Sequence, residues 1–389
     1  MTQPCHSVPL PPAGRAQRSP GLYLHIPFCR SRCAYCNFYS TTDASLVPAF
    51  IEALKTEMDL YRGAFESFDT IYLGGGTPSL LGPGRVEELL ERIHAVFRIL
   101  PGAEITMEAN PADLSLEDLR RLKKAGVNRL TLGIQSFRDE ELSLLGRRHD
   151  SAQALAVIEA ARAAGFDNLC LDLIYGLPCQ SVEHWLFSLR QAVGLRPEHL
   201  SCYELELKPG TPLGDLRARG KIEPACEDTA TELFVITSEV LAAAGYVHYE
   251  ISNFAAGMHL ASRHNSKYWD HTAYLGLGPA AHSFRENRRW WNRACLRAYL
   301  DDLGKGRPPV EGSEELDTRE LAMEALFLGL RTRDGIDLEE HRLRYGRDLL
   351  RENGRELRKW REEGLVELCG PRIRPTLTGM AVADALALL

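Results

Sequence analysis

The sequence contains no long apolar run, no excess of basic residues and no second pair of closely spaced cysteines. No run approaches the roughly 18 apolar residues that a membrane-spanning helix needs. Lys and Arg number 46 against 53 Asp and Glu, so a net charge of −7 provides no overall basic surface for nucleic acid or for an anionic membrane. The first 20 residues include five prolines and lack the apolar segment of a secretory signal. These absences predict a cytoplasmic protein that neither spans a membrane nor binds nucleic acid.

The length of 389 residues predicts two or three domains, and a chain of this size needs no disulfides to fold. Residues 1–20 are rich in Pro and Arg without periodicity, which predicts a disordered tail. A repeating βα pattern over 21–245 predicts one domain. An extension and linker rich in aromatic residues and His follow it over 246–310, and residues 311–389 predict a separate C-terminal domain.

In the βα pattern, short apolar, β-branched runs alternate with amphipathic helical stretches. Ser115, with Asp118 three residues later, is a predicted N-cap of one of the helices. Six runs are strand candidates: Leu22–Ile26, Thr70–Leu73, Glu104–Glu108, Arg129–Ile134, Leu169–Ile174 and Leu200–Leu205. The alternation predicts a parallel sheet with right-handed crossovers. Because six units fall short of a closed eight-stranded barrel, we expect an α/β fold with an open, partial (β/α)6 barrel.

The C-terminal segment 311–389 has helical stretches, a short apolar run at Leu365–Leu368, a turn at Gly370-Pro371 and a final helix near Thr378. Helices followed by a small hairpin predict a winged-helix-like domain. Such domains often bind DNA, but this segment carries 13 Arg and Lys against 17 Asp and Glu. The acidic balance favours a packing or regulatory role over nucleic-acid binding.

Three of the ten cysteines, Cys29, Cys33 and Cys36, directly follow the first predicted strand. Their C-x3-C-x2-C spacing suits three corners of a cubic 4Fe-4S cluster whose fourth iron stays open to another ligand. A structural zinc site needs four ligands, usually from two close pairs, and the sequence has no second pair. The other seven cysteines are scattered, which indicates ordinary thiols. The spacing favours the cluster, with zinc as the alternative.

Polar residues stand at the ends of the next four predicted strands. Strand 2 ends in the glycine-rich stretch 74–79, strand 3 in Glu108, strand 4 in Gln135 and strand 5 in Asp172, and Arg147 and His149 follow strand 4. In β/α barrels, the C-terminal ends of the strands meet at one face, where the chemistry collects. Glycines there let backbone groups approach a ligand closely. The pattern predicts a bowl that can bind a polar nucleoside.

The cysteine spacing, with Tyr35 before the third cysteine, resembles the radical S-adenosylmethionine (radical SAM) superfamily. The resemblance implies a partial barrel in which SAM chelates the open iron and one electron from the cluster releases a deoxyadenosyl radical. The strand ends resemble one branch, the oxygen-independent coproporphyrinogen oxidases and their relatives. The resemblance to this branch implies that SAM is bound by the matching residues of this chain: Tyr23, Tyr35, Gly75, Gly76, Thr77, Glu108, Gln135, Arg147 and Asp172. Asn37 stands where this family usually has Asp, and we expect only a small effect on the cluster potential.

Two functions compete within this branch. The oxidases carry another cysteine two residues after the third ligand and a long N-terminal extension, whereas this chain has Phe38 and about twenty residues before strand 1. The haem chaperones of the HemW type carry H-N-x-x-Y-W, found here as His264, Asn265, Tyr268 and Trp269. The resemblance implies that these four residues contact haem, because an imidazole can bind its iron and aromatic faces pack on a porphyrin. His259 and His271 are alternative ligands, and Trp290 and Trp291 are predicted to be packing residues.

The combined hypothesis is a cytoplasmic haem chaperone of the radical SAM type. It predicts a 4Fe-4S cluster, SAM and haem as bound groups, a haem-acceptor protein as partner, and a reductant such as a flavodoxin or ferredoxin. Whether SAM is used for catalysis stays open. The alternatives are a true coproporphyrinogen oxidase, which decarboxylates propionate side chains, and a radical enzyme that modifies nucleic acid.

Overall fold

The computed structural model describes residues 18–386. Most of the predicted disordered tail, 1–17, lies outside the described residues. Residues 18–20 are ordered against the rest of the protein: Arg18 forms an ion pair with Asp270, at 2.7 Å, and the Ser19 carbonyl accepts a hydrogen bond from Lys267 at 2.6 Å. No helix among residues 18–386 is long and apolar enough to cross a membrane.

All six predicted strands are present, and helices alternate with them. The order is β1 (Gly21–Ile26), α1 (Val47–Leu60), β2 (Phe68–Gly75), α2 (Gly82–Val96), β3 (Ile99–Ala109), α3 (Leu116–Lys124), β4 (Arg129–Gln135), α4 (Asp139–Leu144), α5 (Ser151–Ala163), β5 (Leu169–Tyr175), α6 (Val182–Gly194) and β6 (His199–Glu204). The predicted N-cap of α3 is confirmed as a capping box in which Ser115 and Asp118 bond each other's backbone N–H groups.

The second half extends the same sheet and then forms a smaller unit. It contains α7 (Pro212–Ala218), α8 (Glu227–Ala243), β7 (Val247–Glu250), β8 (Asn253–Ala255), α9 (Arg263–Trp269), β9 (Tyr274–Leu277), β10 (His282–Arg285), β11 (Arg288–Asn292), α10 (Leu296–Gly304) and β12 (Val310–Glu315). The chain ends in α11 (Thr318–Gly329), β13 (Ile336–Asp337), α12 (Leu338–Tyr345), α13 (Leu349–Glu352), α14 (Gly354–Glu362), β14 (Val366–Cys369), β15 (Arg372–Pro375), α15 (Leu377–Ala381) and α16 (Ala383–Leu386).

The main sheet runs in the order β12-β11-β10-β9-β1-β2-β3-β4-β5-β6-β8-β7. Strands β1 to β6 are parallel in sequence order, as predicted for an open partial barrel. The sequence did not reveal a further parallel strand, β9, which pairs with β1 from Gly21↔Tyr274 to Leu24↔Leu277. Antiparallel strands extend the sheet at both ends. The predicted extension 246–310 therefore contributes strands β7 to β11 to the main sheet. The predicted domain boundaries stay a prediction.

The core lies between the sheet and the helices outside it. Apolar side chains of β1, such as Leu22 and Leu24, are fully buried, as expected for a parallel strand that is covered on both faces. The C-terminal unit has its own small core around Leu330 and Ile373 and a three-stranded antiparallel sheet in the order β13-β15-β14. Six helices between residues 318 and 386, α11 to α16, combine with this sheet in agreement with the predicted winged-helix-like domain.

Candidate functional site

The three cysteines lie on the loop between β1 and α1, beside the C-terminal ends of the strands. Backbone hydrogen bonds anchor this loop: Cys29 N–H donates to the Thr41 carbonyl at 2.9 Å, and Thr41 N–H donates to the Pro27 carbonyl at 2.7 Å. Ala34 N–H donates to the Leu145 carbonyl at 3.0 Å, so the loop also contacts the segment after α4. All three cysteines are partly exposed free thiols on one anchored loop.

The glycine-rich end of β2 packs directly against the cysteine loop. Gly76 N–H donates to the Ile26 carbonyl and Thr77 N–H to the Phe28 carbonyl, both at 2.8 Å. The Thr77 hydroxyl also donates to the sulfur of Cys29 at 3.4 Å. The two segments form one continuous surface, because backbone and side-chain bonds both join them.

Glu108 ends β3 and joins the glycine-rich segment from the other side. Its carboxylate accepts hydrogen bonds from the Tyr72 hydroxyl at 2.7 Å and from Gly75 N–H at 3.2 Å. Gly75 has a φ of +106°, and a Cβ there would lie 2.6 Å from the imidazole of His25, so the position requires glycine. Burial raises the pKa of Glu108 to about 7; the Tyr72 bond opposes this shift, and the charge of Asp172 adds to it.

Arg147 connects the cysteine loop to the end of β4. Its Nη1 donates to the sulfur of Cys33 at 3.2 Å, and its Nη2 donates to the Gly133 carbonyl at 2.7 Å. Its Nε is buried and has no hydrogen-bond partner within residues 18–386. Gln135 lies at a register shift between β4 and β5 with a φ of +72°, a conformation unfavourable for a residue with a side chain. Burial raises the pKa of Tyr35, and the neighbouring Arg147 cation opposes this.

Asp172 lies in the middle of β5, opposite Ser201 of β6, and not at the end of the strand as predicted. Burial raises the pKa of Asp172 to about 6, although Ser201 and Cys170 stabilise the charged form. The Cys170 thiol lies 3.6 Å from the Asp172 carboxylate and 3.0 Å from Nδ1 of His199. These side chains line a small cavity of about 40 Å³ together with Glu108. Two predicted carboxyl groups therefore face the same space.

The predicted haem-contacting segment forms α9, next to β2 and β3. The Glu104 carboxylate of β3 accepts hydrogen bonds from the backbone N–H groups of Arg263 and His264, at 3.1 and 3.0 Å. An acidic side chain at the start of a helix is favourable because the free N–H groups there carry partial positive charge. The Lys267 ammonium forms an ion pair with Asp69 of β2 at 2.7 Å. These contacts fix the helix against the sheet.

His264 is buried, and both of its ring nitrogens have partners. Nδ1 lies 2.8 Å from the Thr70 hydroxyl, and Nε2 lies 3.0 Å from the Tyr268 hydroxyl. The imidazole stacks on Tyr72, with ring centroids 5.1 Å apart. Burial, assisted by the Lys267 charge, lowers the pKa of His264 to about 3, so the ring is neutral near neutral pH. An iron atom could bind Nε2 only if the Tyr268 hydroxyl gave way.

A cavity of about 400 Å³ is lined by residues from both the predicted SAM set and the predicted haem set. Tyr23 and Glu108 come from the predicted SAM set. The whole haem set lines the same cavity: His264, Asn265, Tyr268 and Trp269. The haem set and these two residues therefore share one space inside the barrel, which His264 borders from the N-terminal ends of β1 and β2.

The alternative haem ligands do not reach this cavity. His259 is exposed. His271 is buried away from it, between the Tyr345 hydroxyl at 2.9 Å and the Glu324 carboxylate at 3.1 Å. Trp290 stacks on Tyr61 and Trp291 on His282, in agreement with their predicted packing role.

Several cavity residues were not predicted to be functional: Tyr72, Tyr203, Glu250, Ile251, Ser252 and Asn253. These last four residues lie in the segment 246–310, for which no role beyond an aromatic- and His-rich extension was predicted. An acid and an amide at the turn between two short apolar runs are the signal that could have singled out Glu250 and Asn253. Tyr72 gave no such signal, because an aromatic residue in a strand is an ordinary core residue.

The donor and acceptor groups of this site fit a cluster and a nucleoside-linked amino acid. Three free thiols share one loop, and the Arg147 cation lies beside one of them. Within residues 18–386, no group of three His, Cys, Asp or Glu side chains is placed to hold a single metal ion. A cluster does not need that arrangement, because each thiolate binds a different iron atom. The unpartnered Nε of Arg147 can donate to a carboxylate, and the carboxyls of Glu108 and Asp172 can accept from amino and hydroxyl groups.

Comparisons with known proteins agree with this geometry. Residues 23–192 match the family model of the radical SAM superfamily, and residues 316–382 match the HemN C-terminal domain. The chain is similar to a protein of Bacillus subtilis named "Heme chaperone HemW", with 36% identity over 332 residues, covering 84% of this chain and 87% of that protein. The protein of the same name from Mycobacterium tuberculosis (strain H37Rv) is 35% identical over 371 residues, covering 94% of this chain and 93% of that one.

Among solved structures, the chain resembles the Escherichia coli coproporphyrinogen III oxidase HemN, described as a radical SAM enzyme. The TM-score is 0.82, with 23% sequence identity, and the match covers 96% of this chain and 90% of that one. At this level of identity the similarity shows a common fold, which is the one described above.

Proposed function

Because the chain belongs to the radical SAM superfamily and, within it, to the HemW haem chaperones, we propose that it holds haem beside a cluster-and-SAM site and passes it to an acceptor protein. The observation that carries this proposal is the cavity of about 400 Å³ in which the haem set and part of the SAM set line the same space. A carrier with adjoining sites can let the bound cofactors influence the retention of haem.

In this proposal Cys29, Cys33 and Cys36 hold the 4Fe-4S cluster that membership of the superfamily implies. When bound, the cluster and SAM supply one-electron chemistry at the sulfonium. The chain's own residues position SAM: Arg147 offers its free Nε to a carboxylate, while Glu108 and Asp172 accept from amino and hydroxyl groups. The remaining members of the proposed SAM set surround these groups: Tyr23, Tyr35, Gly75, Gly76, Thr77 and Gln135.

The four residues that would hold haem are Tyr268 and Trp269, whose rings suit a porphyrin face, His264, whose Nε2 could bind the iron, and Asn265, which lines the same cavity. The acceptor protein and an external reductant such as a flavodoxin or ferredoxin belong to the proposal as partners. A cytoplasmic site of action is part of the same proposal.

The test is an anaerobic haem titration of the cluster-reconstituted protein, followed by Soret absorbance. The wild type should bind haem stoichiometrically, and His264→Ala should weaken binding. His259→Ala is the matched control, because His259 is exposed and does not line the cavity. Thermal unfolding of each variant separates loss of the ligand from loss of the fold, since His264 is buried and bonded to Thr70.

Equal binding by wild type and His264→Ala would keep the chaperone and remove His264 as the ligand. No binding by the wild type would contradict the chaperone proposal. Conversion of coproporphyrinogen by the same reconstituted protein would then establish an oxidase, although Phe38 occupies the position of the oxidases' additional cysteine.

A further inference from the structure

Two buried hydrogen-bonding atoms on one side of the large cavity have no partner within residues 18–386. Glu250, at the end of β7, is 1% exposed, and Asn253, at the start of β8, is 5% exposed. Oε1 of Glu250 and Oδ1 of Asn253 are both buried without a hydrogen bond. Oε2 of Glu250 accepts a bond from Ser252 N–H at 3.3 Å, and the Asn253 side chain interacts with the same carboxylate. Both residues line the cavity that also holds His264 and Trp269.

Buried polar atoms without partners are unusual in native proteins and cost free energy when nothing satisfies them. A bound ligand that brings a hydrogen-bond donor into the cavity removes this cost. Two backbone hydrogen bonds hold the residues on either side of Glu250 in place: Ile251 N–H donates to the Arg331 carbonyl at 2.9 Å, and Arg333 N–H donates to the Tyr249 carbonyl at 3.0 Å. These bonds tie the turn that carries Glu250 to the C-terminal unit.

We propose that Glu250, held beside the Asn253 amide, binds a propionic acid side chain of haem by sharing one proton between the two carboxyl groups. The proposal rests on the function proposed above and adds a recognition point that the α9 motif does not contain. The two propionic acid groups are the polar part of haem, whereas much of the rest of the cavity lining is aromatic. A shared proton satisfies Oε1 of Glu250 and lets the propionate enter without two adjacent negative charges.

The surroundings favour a proton at this position. Burial raises the pKa of Glu250 to about 7, although Asn253 and Ser252 N–H stabilise the charged form. Among residues 18–386 no Lys, Arg or His forms an ion pair with Glu250. The titratable groups that line the same cavity are Tyr203 of β6, Glu108 of β3 and His264 of α9, and Tyr249 is its neighbour in β7. None of these four groups brings a positive charge at neutral pH. The C-terminal unit adds two cations near the turn: the Arg331 guanidinium pairs with Asp384 and bonds the Phe327 carbonyl, and the charge of Arg333 acts on His248.

The experiment is a binding cycle that changes the protein and the ligand in turn. Haem and haem dimethyl ester are each titrated into cluster-reconstituted wild type and Glu250→Ala near pH 6. The wild type should prefer haem over the ester by about tenfold or more, the size expected for a charge-assisted hydrogen bond. Glu250→Ala should bind haem and the ester with about equal affinity, because the partner of the haem carboxyl group is gone.

Two further variants identify the shared proton. Glu250→Gln should keep the preference for haem both near pH 6 and near pH 8.5, because an amide N–H donates at either pH. The wild type should lose its preference near pH 8.5, where both carboxyls are charged. Glu204→Gln is the matched control: Glu204 is a neighbouring, half-exposed acid at the end of β6 that does not line the cavity, and its removal should leave the preference unchanged.

The possible failures are distinguishable. Absence of haem binding by the wild type would overturn the proposed function. Haem binding with the same haem-to-ester ratio in wild type and Glu250→Ala would overturn only the assignment of Glu250. A pH dependence of the ratio that persists in Glu250→Gln would assign the titration to another acid, such as Glu108, and would equally overturn the shared-proton proposal.

Discussion

The hydroxyl of Tyr268 competes with any metal for the proposed haem ligand, and its removal should tighten haem binding. Thr70 holds Nδ1 of His264 at 2.8 Å, and Tyr268 holds Nε2 at 3.0 Å. When Nδ1–H donates to Thr70, the lone pair of Nε2 faces the Tyr268 hydroxyl. Haem iron must displace that hydroxyl before it can bind.

The expected change in haem affinity follows from the free energy of one hydrogen bond. An internal hydrogen bond contributes about 1 kcal/mol net, so breaking the bond between Tyr268 and His264 costs the wild type about that amount before iron can bind. Tyr268→Phe removes this competition and keeps the aromatic ring. The dissociation constant for haem should fall about fivefold, since about 1.4 kcal/mol corresponds to tenfold.

The assay is the anaerobic Soret titration of wild type, Tyr268→Phe and the control Tyr274→Phe. Tyr274 packs edge-on against Tyr268, with ring centroids 4.7 Å apart, but its hydroxyl does not bond His264. Tyr274→Phe should therefore leave the affinity unchanged. Affinity that is unchanged or weaker in Tyr268→Phe, with the fold intact, would refute the reasoning that iron binds at Nε2 of His264.

Three further predictions concern the cluster and the stability of the site. Alanine at any of the three loop cysteines should abolish the visible absorption of the reconstituted cluster, and a full cluster in all three variants would contradict its assignment. Gly75→Ala should lower the free energy of unfolding in urea by roughly 1–3 kcal/mol more than Gly63→Ala, because Gly63 also has a positive φ but no atom within 4 Å of an added Cβ. Burial raises the pKa of Glu250 from 4.5 to about 7, so the folded protein binds the proton more tightly than the unfolded chain. As the pH rises from 4.5 to about 7, the free energy of unfolding of the wild type should fall by roughly 3 kcal/mol relative to that of Glu250→Gln. The same difference between the two proteins at both pH values, measured by urea unfolding, would contradict the shift.

Much of the fold was predictable because it depends on local sequence. Short apolar, β-branched runs that alternate with amphipathic helical stretches predicted the six parallel strands, and a serine followed by an acid predicted the start of α3. The strand β9 was not recognised, because a four-residue strand far along the chain has no periodicity to reveal a partner. Its pairing with β1 joins distant parts of the sequence, which only the folded structure brings together.

The candidate site was predictable to a different degree. The strand ends were expected to converge, since parallel strands bring their C-terminal ends to one face. The left-handed backbone at Gln135 and the unpartnered Nε of Arg147 were not expected, because both depend on how neighbouring strands and loops pack. Glu250 was overlooked for the same reason: its burial comes from the sheet and the C-terminal unit together.

The sequence alone determined the cysteine spacing, the order of strands and helices and the polar residue at each strand end, because these are properties of short segments. Tertiary structure alone decided that the α9 motif and the strand-end residues share one cavity. It also decided that both nitrogens of His264 are bonded and that Glu250 is buried with a free oxygen. Burial and hydrogen bonding depend on which distant segments meet, and no single segment encodes that.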